Sequence, residues 1–330
     1  MTIPSFKILK KNAAERVAAA EHSRQIVLTY AGIVTVLAVL VTAVTYTLDL
    51  QIAKTGGLSN MGLRSILSTI QSFLPMVQGM VVMCLDIGYI AAMLRISREQ
   101  YVSRHTLKLG FERFWVLIRL SVIQSAIYML AAMAAFWISV QVYLITPFSD
   151  TIMAMVTPEM IDPNVVIELL QDPTFTAQIT SAMLPLLLMF GVIYAVLFIP
   201  ISYSLRMSRY VIIDKPGQGA IFALRESRNM MKGSCIRLFK LDVSMWWWFV
   251  ISLGSTALAY GDTLLPLVGI SLPFSADVGY FLFYGLYLIV QFVSCLFLRN
   301  RVEVIYAQVY NALKPREKDN GVVLGNIFQM

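Results

Sequence analysis

The sequence predicts an all-α, polytopic membrane bundle: six transmembrane helices, paired as three pseudo-repeated hairpins with basic interfacial helices. Three observations point there. First, 58% of the 330 residues are hydrophobic and 14% are charged, with a mean hydropathy of +0.71, whereas soluble domains carry about 25% charged residues. Second, the net charge of +7 comes from basic residues that flank apolar runs and are not pooled in one face or tail, which is the pattern of membrane topology and not of nucleic-acid binding. Third, Ser103, Arg104, Lys108 and Arg113 recur as Ser227, Arg228, Lys232 and Arg237, each pair 124 positions apart, with Trp115 matched by Phe239.

Residues 1–25 read as a cytoplasmic interfacial helix, because Lys7, Lys10, Lys11, Arg16 and Arg24 lie among alanines and a few apolar residues at helical spacing. The apolar run from Ile26 to Leu48 spans about 35 Å at 1.5 Å per residue, enough to cross the hydrocarbon core with some tilt. It is longer than the apolar region of a cleaved signal peptide and no A-x-A site follows it, so it is expected to be the first span. Leu58 to Leu94 forms the second, bent near Pro75, bearing Gln71, Gln78 and Asp86 and ending at Leu94-Arg95-Ile96-Ser97-Arg98. The Ser103 segment feeds the third span, Trp115 to Ile145.

Residues 147–178 form an acidic extracytoplasmic loop with Asp150, Glu159, Asp162, Glu168 and Asp172 and no Lys or Arg; Asp162-Pro163 and Asp172-Pro173 signal the starts of short helices. The fourth span, Ile179 to Leu205, contains Pro185 and ends at Leu205-Arg206-Met207-Ser208-Arg209, much as the second does. Ser227 to Trp248 reads as a basic amphipathic segment on the membrane surface that turns into the bilayer at Trp246, Trp247 and Trp248. It feeds the fifth span, to about Tyr260, with Pro266 and Pro273 at the outer turn. The sixth, Tyr280 to Leu298, ends in Leu298-Arg299-Asn300-Arg301. The six-helix membrane domain thus covers residues 26–313 and leaves 314–330 as a short cytoplasmic tail.

The hairpins would be parallel repeats, each entered through a basic helix and left at a Leu-Arg signature. The alternative is that juxtamembrane segments look alike because positive charge stops at the cytoplasmic face. In either case 24 of the 26 Lys and Arg fall on one side, leaving Lys54 and Arg64 on the other, so both termini are expected in the cytoplasm.

Met231, Lys232, Gly233, Arg237, Phe239, Leu241, Asp242, Ser244 and Trp246 or Trp247 stand in the order Met-Lys-Gly, Arg-x-Phe, Leu-Asp-x-Ser, Trp. This resembles the signature of the bacterial integral membrane family known as domain of unknown function 975. Leu9 to Ala13 is similar to that family's N-terminal basic helix, and Tyr306 to Leu313 to its closing aromatic segment. The chain departs from the family at Ile305-Tyr306, where Pro-Tyr is expected, and in its longer acidic loop. The resemblance implies a multi-pass protein of the bacterial cytoplasmic membrane and carries no activity with it.

The chemistry-bearing residues are few. His22 and His105 both lie outside the predicted spans, and Cys84, Cys235 and Cys295 share no C-x-x-C spacing, so no metal site, cofactor or disulfide framework is expected. No G-x-S-x-G, H-E-x-x-H or P-loop occurs, and Gly217-Gln218-Gly219 is a turn after Pro216. An enzyme is therefore the weakest class.

Asp86 lies nine positions before Arg95, about 13 Å along the helix from the cytoplasmic boundary, where an unpaired carboxylate is costly. Arg119 on the following span is at a depth that would let it pair with Asp86. The other reading of Asp86 is a proton or cation site lined by Gln71, Gln78 and Gln124. Asp242 is expected in an interfacial ion pair with Lys240, Arg206 or Arg237. The acidic loop is either a solvated face or a docking surface for a basic protein partner. Two functions compete: a non-enzymatic accessory or regulatory membrane component, and a small-molecule or ion transporter or channel using Asp86.

Overall fold

The computed structural model describes residues 4–20, 22–54, 61–147, 149–150, 173–267, 273 and 275–314. Most of the acidic loop and all of the tail after Lys314 lie outside the described residues. Every regular element described is helical: α1 (Phe6–Ala19), α2 (Ser23–Lys54), α3 (Met61–Ser97), a 3-10 turn (Arg104–Lys108), α4 (Leu109–Glu112), α5 (Phe114–Leu144), α6 (Pro173–Leu205), α7 (Ser208–Asp214), α8 (Ala220–Met231), α9 (Cys235–Val243), α10 (Trp246–Ala259), α11 (Gly261–Leu267), α12 (Ala276–Ser294), a π turn (Cys295–Arg299) and α13 (Asn300–Leu313).

Among the described residues, five helical stretches are long and apolar enough to cross a bilayer: α2, α3, α5, the run through α6 and α7, and the run from α12 through α13. The expected fifth span is shorter. As α10 it has 14 residues, about 21 Å at 1.5 Å per residue against a hydrocarbon core of about 30 Å, and the seven-residue α11 follows it directly. The expected sixth span does not end at its Arg299: the helix widens into the π turn and continues to Leu313.

The chain divides into two compact units, residues 1–117 with 207–330, and residues 118–206. In the second unit, Ala131, Ala135, Ser139 and Tyr143 are all buried. Their four-residue spacing puts them in one stripe of α5, and the Tyr143 hydroxyl donates to the carbonyl oxygen of Ala182 on α6 at 2.8 Å. Small residues allow close helix approach in an apolar solvent, and the pairs Tyr128–Phe198 and Phe136–Phe190, with centroids 5.0 and 6.2 Å apart, add aromatic contacts.

In the first unit, α3 packs on α2 and α13, α13 on α1, and α10 on α12. The expected amphipathic helix at Ser103 is instead two short pieces laid against α3. A Cβ on Gly110 would collide with the Cys84 backbone, and one on Gly88 with the Leu107 backbone, so only glycine permits this approach. The matching segment at Ser227 is built differently, with α8 and α9 separated at Gly233, whose φ of +80° favours a residue without a Cβ. α13 is the most deeply set of the short helices: Val304, Ile305, Ala307, Val309 and Tyr310 are each buried.

Candidate functional site

Asp86 is on α3, and Tyr89, one turn later, shares its face. Tyr30 of α2 stacks on Tyr89 with ring centroids 4.6 Å apart. Arg299 reaches the same point from the π turn, a distortion often found at functional positions. Its Nη2 donates to Asp86 Oδ1 at 3.0 Å and its Nη1 to the Tyr30 hydroxyl at 2.6 Å. Tyr30 also donates to Asp86 Oδ1. The guanidinium carbon lies 5.0 Å from the Tyr30 centroid and 5.2 Å from that of Tyr89, within cation–π range. Asp86 and Arg299 are both largely covered, with side-chain exposures of 22% and 25%.

Arg299 begins a row of polar side chains along the π turn and α13. Glu303 accepts from the Tyr210 hydroxyl of α7 at 3.1 Å. Tyr306 donates to the buried Asp242 of α9 at 2.7 Å. Tyr310 donates to Asp214 of α7 at 3.0 Å, and Asp214 also meets Arg98 and Lys314, each at 2.7 Å. Asn311 donates to Ser97 Oγ at 2.9 Å. The positions 299, 303, 306 and 310 advance by three or four, so one helix face answers carboxylates and a hydroxyl presented by α3, α7 and α9.

The N-terminal helix joins this end of the unit. Lys10 Nζ donates to the Ser244 carbonyl oxygen at 2.8 Å, and Arg16 donates to the Ser97 carbonyl and pairs with Glu99 at 3.2 Å. Three segments far apart in sequence therefore meet: the basic helix at Leu9 to Ala13, the Met231 to Trp246 signature and the aromatic segment at Tyr306 to Leu313. Within the signature, Met231 and Asp242 are buried, Gly233 makes the turn, Ser244 supplies the acceptor for Lys10, and Lys232, Arg237, Phe239 and Trp246 are exposed.

Of the five candidate intramembrane residues, Gln71, Gln78 and Asp86 lie on α3 in the first unit, and Arg119 and Gln124 lie on α5 in the second. Arg299, and not Arg119, is the ion-pair partner of Asp86; Arg119 is exposed and belongs to the second unit, as does the half-buried Gln124. Gln71 donates to Asp49 of α2 at 2.7 Å, fifteen residues before Asp86 on the same helix and so about 22 Å away along its axis. Gln78 is half-buried between them. Asp242 accepts from Tyr306. Sequence reasoning treated Arg299 only as a charge that stops a span and did not single out Tyr30 or Tyr89. The signal available for the second was the i, i+3 spacing of Asp86 and Tyr89.

A second polar feature lies in the same unit. The Gln291 amide of α12 donates to Ser255 Oγ of α10 at 3.0 Å, beside a cavity of about 250 Å³ that extends to Arg299 and Glu303. Among the described residues, no three His, Cys, Asp or Glu side chains are grouped to hold a metal ion.

No curated protein and no solved structure matches the chain. One family does, described as "Protein of unknown function (DUF975)", over residues 34–317. That range takes in the paired Asp86 and Arg299, the Gly233 turn and the face of α13, and leaves α1 outside. The chain, whose described residues are helical in every regular element and include five bilayer-length apolar helices, is matched over most of its length and belongs to the DUF975 family.

Proposed function

We propose that this protein is a non-enzymatic accessory or regulatory component of the bacterial cytoplasmic membrane, with six spans and both termini in the cytoplasm. The observation that carries this reading is the state of Asp86. A carboxylate that binds and releases protons or cations in turnover has to be free to change partners, whereas Asp86 is neutralised by Arg299 and also accepts from Tyr30. The fifth span is α10 continued by α11, an apolar stretch from Trp246 to Leu267. The orientation rests on the Lys and Arg distribution, and the three-hairpin repeat on the 124-residue offset.

The second reading is a transporter or channel, favoured by the polar cavity beside Gln291 and Ser255. Proton-flux and solute-counterflow measurements on the purified protein in liposomes separate the two. The accessory reading expects no flux above protein-free vesicles; a flux that disappears in Asp86→Asn would overturn it. For topology, a reporter active only outside the cytoplasm should work when fused near Asp162 and stay silent after Lys108, Lys232 or Lys318.

A further inference from the structure

In the first unit, α10 and α12 meet across a polar seam although both helices are strongly apolar. The single proton of the Ser255 hydroxyl goes to the Ser252 carbonyl oxygen at 2.9 Å, so Ser255 Oγ can only accept from the Gln291 amide, at 3.0 Å. Gln291 therefore turns its N–H to Ser255 and keeps Oε1 as an acceptor to which no described residue donates. Beside the seam lies a cavity of about 250 Å³, with Trp248, Ser252, Gln291, Ser294, Arg299 and Glu303 in its lining. That is the volume of about eight liquid waters at 30 Å³ each.

The charge on this lining is negative. Arg299 is neutralised by Asp86 at 3.0 Å and its guanidinium is covered by the rings of Tyr30 and Tyr89, so it offers little to a guest. Glu303, one helical turn later, accepts from the uncharged Tyr210 through Oε2; among the described residues no Lys or Arg lies within ion-pair distance of it, and none donates to its Oε1. An anion would meet Glu303 with like charge, and a zwitterion would bring an anionic group that nothing on the lining answers. A single positive charge is what the lining lacks. The acceptors decide its form: Glu303 Oε1, Gln291 Oε1 and the hydroxyls of Ser252 and Ser294 can each take an N–H, of which a primary ammonium has three to give and a quaternary one has none.

We propose that this cavity binds a monovalent organic cation with a primary ammonium head, the nitrogen held by Glu303 and Gln291 and a short alkyl stem lying against Trp248 and Ile251, which also line the cavity. A free alkylamine has this chemistry. The headgroup of phosphatidylethanolamine carries the same ammonium but brings a phosphate with it, which the lining does not answer. The inference rests on neither the accessory nor the transporter reading, since silence in flux assays leaves binding untouched.

The test is calorimetric titration of the delipidated full-length protein, in a non-ionic detergent at neutral pH and fixed ionic strength, with n-butylamine, 1-butanol and butyrate. These guests share a chain length and differ in charge, the amine being protonated under these conditions. Butylammonium should bind about tenfold more tightly than butanol, the weight of one charge-assisted hydrogen bond, and butyrate more weakly than either. Glu303→Gln should bring butylammonium down to the affinity of butanol. Ser252→Leu, which fills the cavity from an exposed position, should abolish binding and serves if Glu303→Gln does not fold. Tetramethylammonium, which has no N–H, and phosphoethanolamine, which carries the phosphate of the lipid headgroup, should each bind about tenfold more weakly than butylammonium. Equal affinity for butylammonium and butanol, binding that survives Ser252→Leu, or either of the last two guests bound as tightly as butylammonium would overturn the proposal.

Discussion

The unit of residues 118–206 joins its two long helices through a stripe of Ala131, Ala135 and Ser139 and through paired aromatic rings, whereas the unit formed by the rest of the chain brings Asp86, Asp214 and Asp242 to partners on the π turn and α13. The first kind of contact depends on shape. Lipid tails are as apolar as the side chains, so close packing between small residues supplies the attraction. The second kind depends on register. A shift of one residue between α3 and α13 would strand a carboxylate or a guanidinium in a poorly hydrated interior, so the charged groups select one arrangement even where they add little net stability. That role in specifying the arrangement is the part of the contrast open to experiment.

The largest expected effect is at the centre of the charged unit. Asp86→Asn or Arg299→Gln should each cost about 3 kcal/mol, because the remaining charge loses its partner, and the double variant should recover much of the loss. Melting curves of the four proteins in detergent check this; additive losses in the double variant would remove the pair from the account. Next comes the close approach of α3 and α4. Gly110→Ala places a methyl group against the Cys84 backbone and should cost about 2 kcal/mol, typical of an overpacked site. Gly233→Ala follows at about 1 kcal/mol, since the space around it is open and only the left-handed backbone opposes a side chain.

In the aromatic and small-residue unit, effects should be smaller. Tyr143→Phe removes the hydrogen bond to Ala182 and should cost about 1 kcal/mol or less. Arg119→Gln, on an exposed position, should change stability by less than about 0.5 kcal/mol. An Arg119 effect as large as that of Arg299 would erase the contrast between the two units.

Much of the architecture was legible because bilayer-length apolar runs and their basic flanks are local properties. The boundaries expected for the third span, Trp115 to Ile145, differ from those of α5 by a single residue at each end. At α10 the expected end, Tyr260, lies one residue past Ala259, but the helix of 14 residues is short of bilayer length. The local signal misled at Arg299, where a basic residue that reads as the end of a span lies inside a continuing helix. Asp86 was recognisable as an intramembrane carboxylate that needs a partner, but the choice between Arg119 and Arg299 was not. Both guanidiniums sit at span ends, and nothing local distinguishes a charge in the next span from one 213 residues away.

The sequence by itself determined that the chain is helical and belongs in a membrane, since hydropathy and helix length act within a few turns. It also pointed to the family, through Met231 to Trp246 and the segment at Tyr306 to Leu313, both within the matched residues. Only the tertiary structure decided that Lys10, Ser244, Tyr306 and Asp242 belong to one assembly and that one face of the π turn and α13 answers the carboxylates of three other helices. The physical reason is range: burial raises the demand of each charge for a partner, but the identity of that partner depends on which helices pack together, and packing is settled by contacts between residues far apart in the chain.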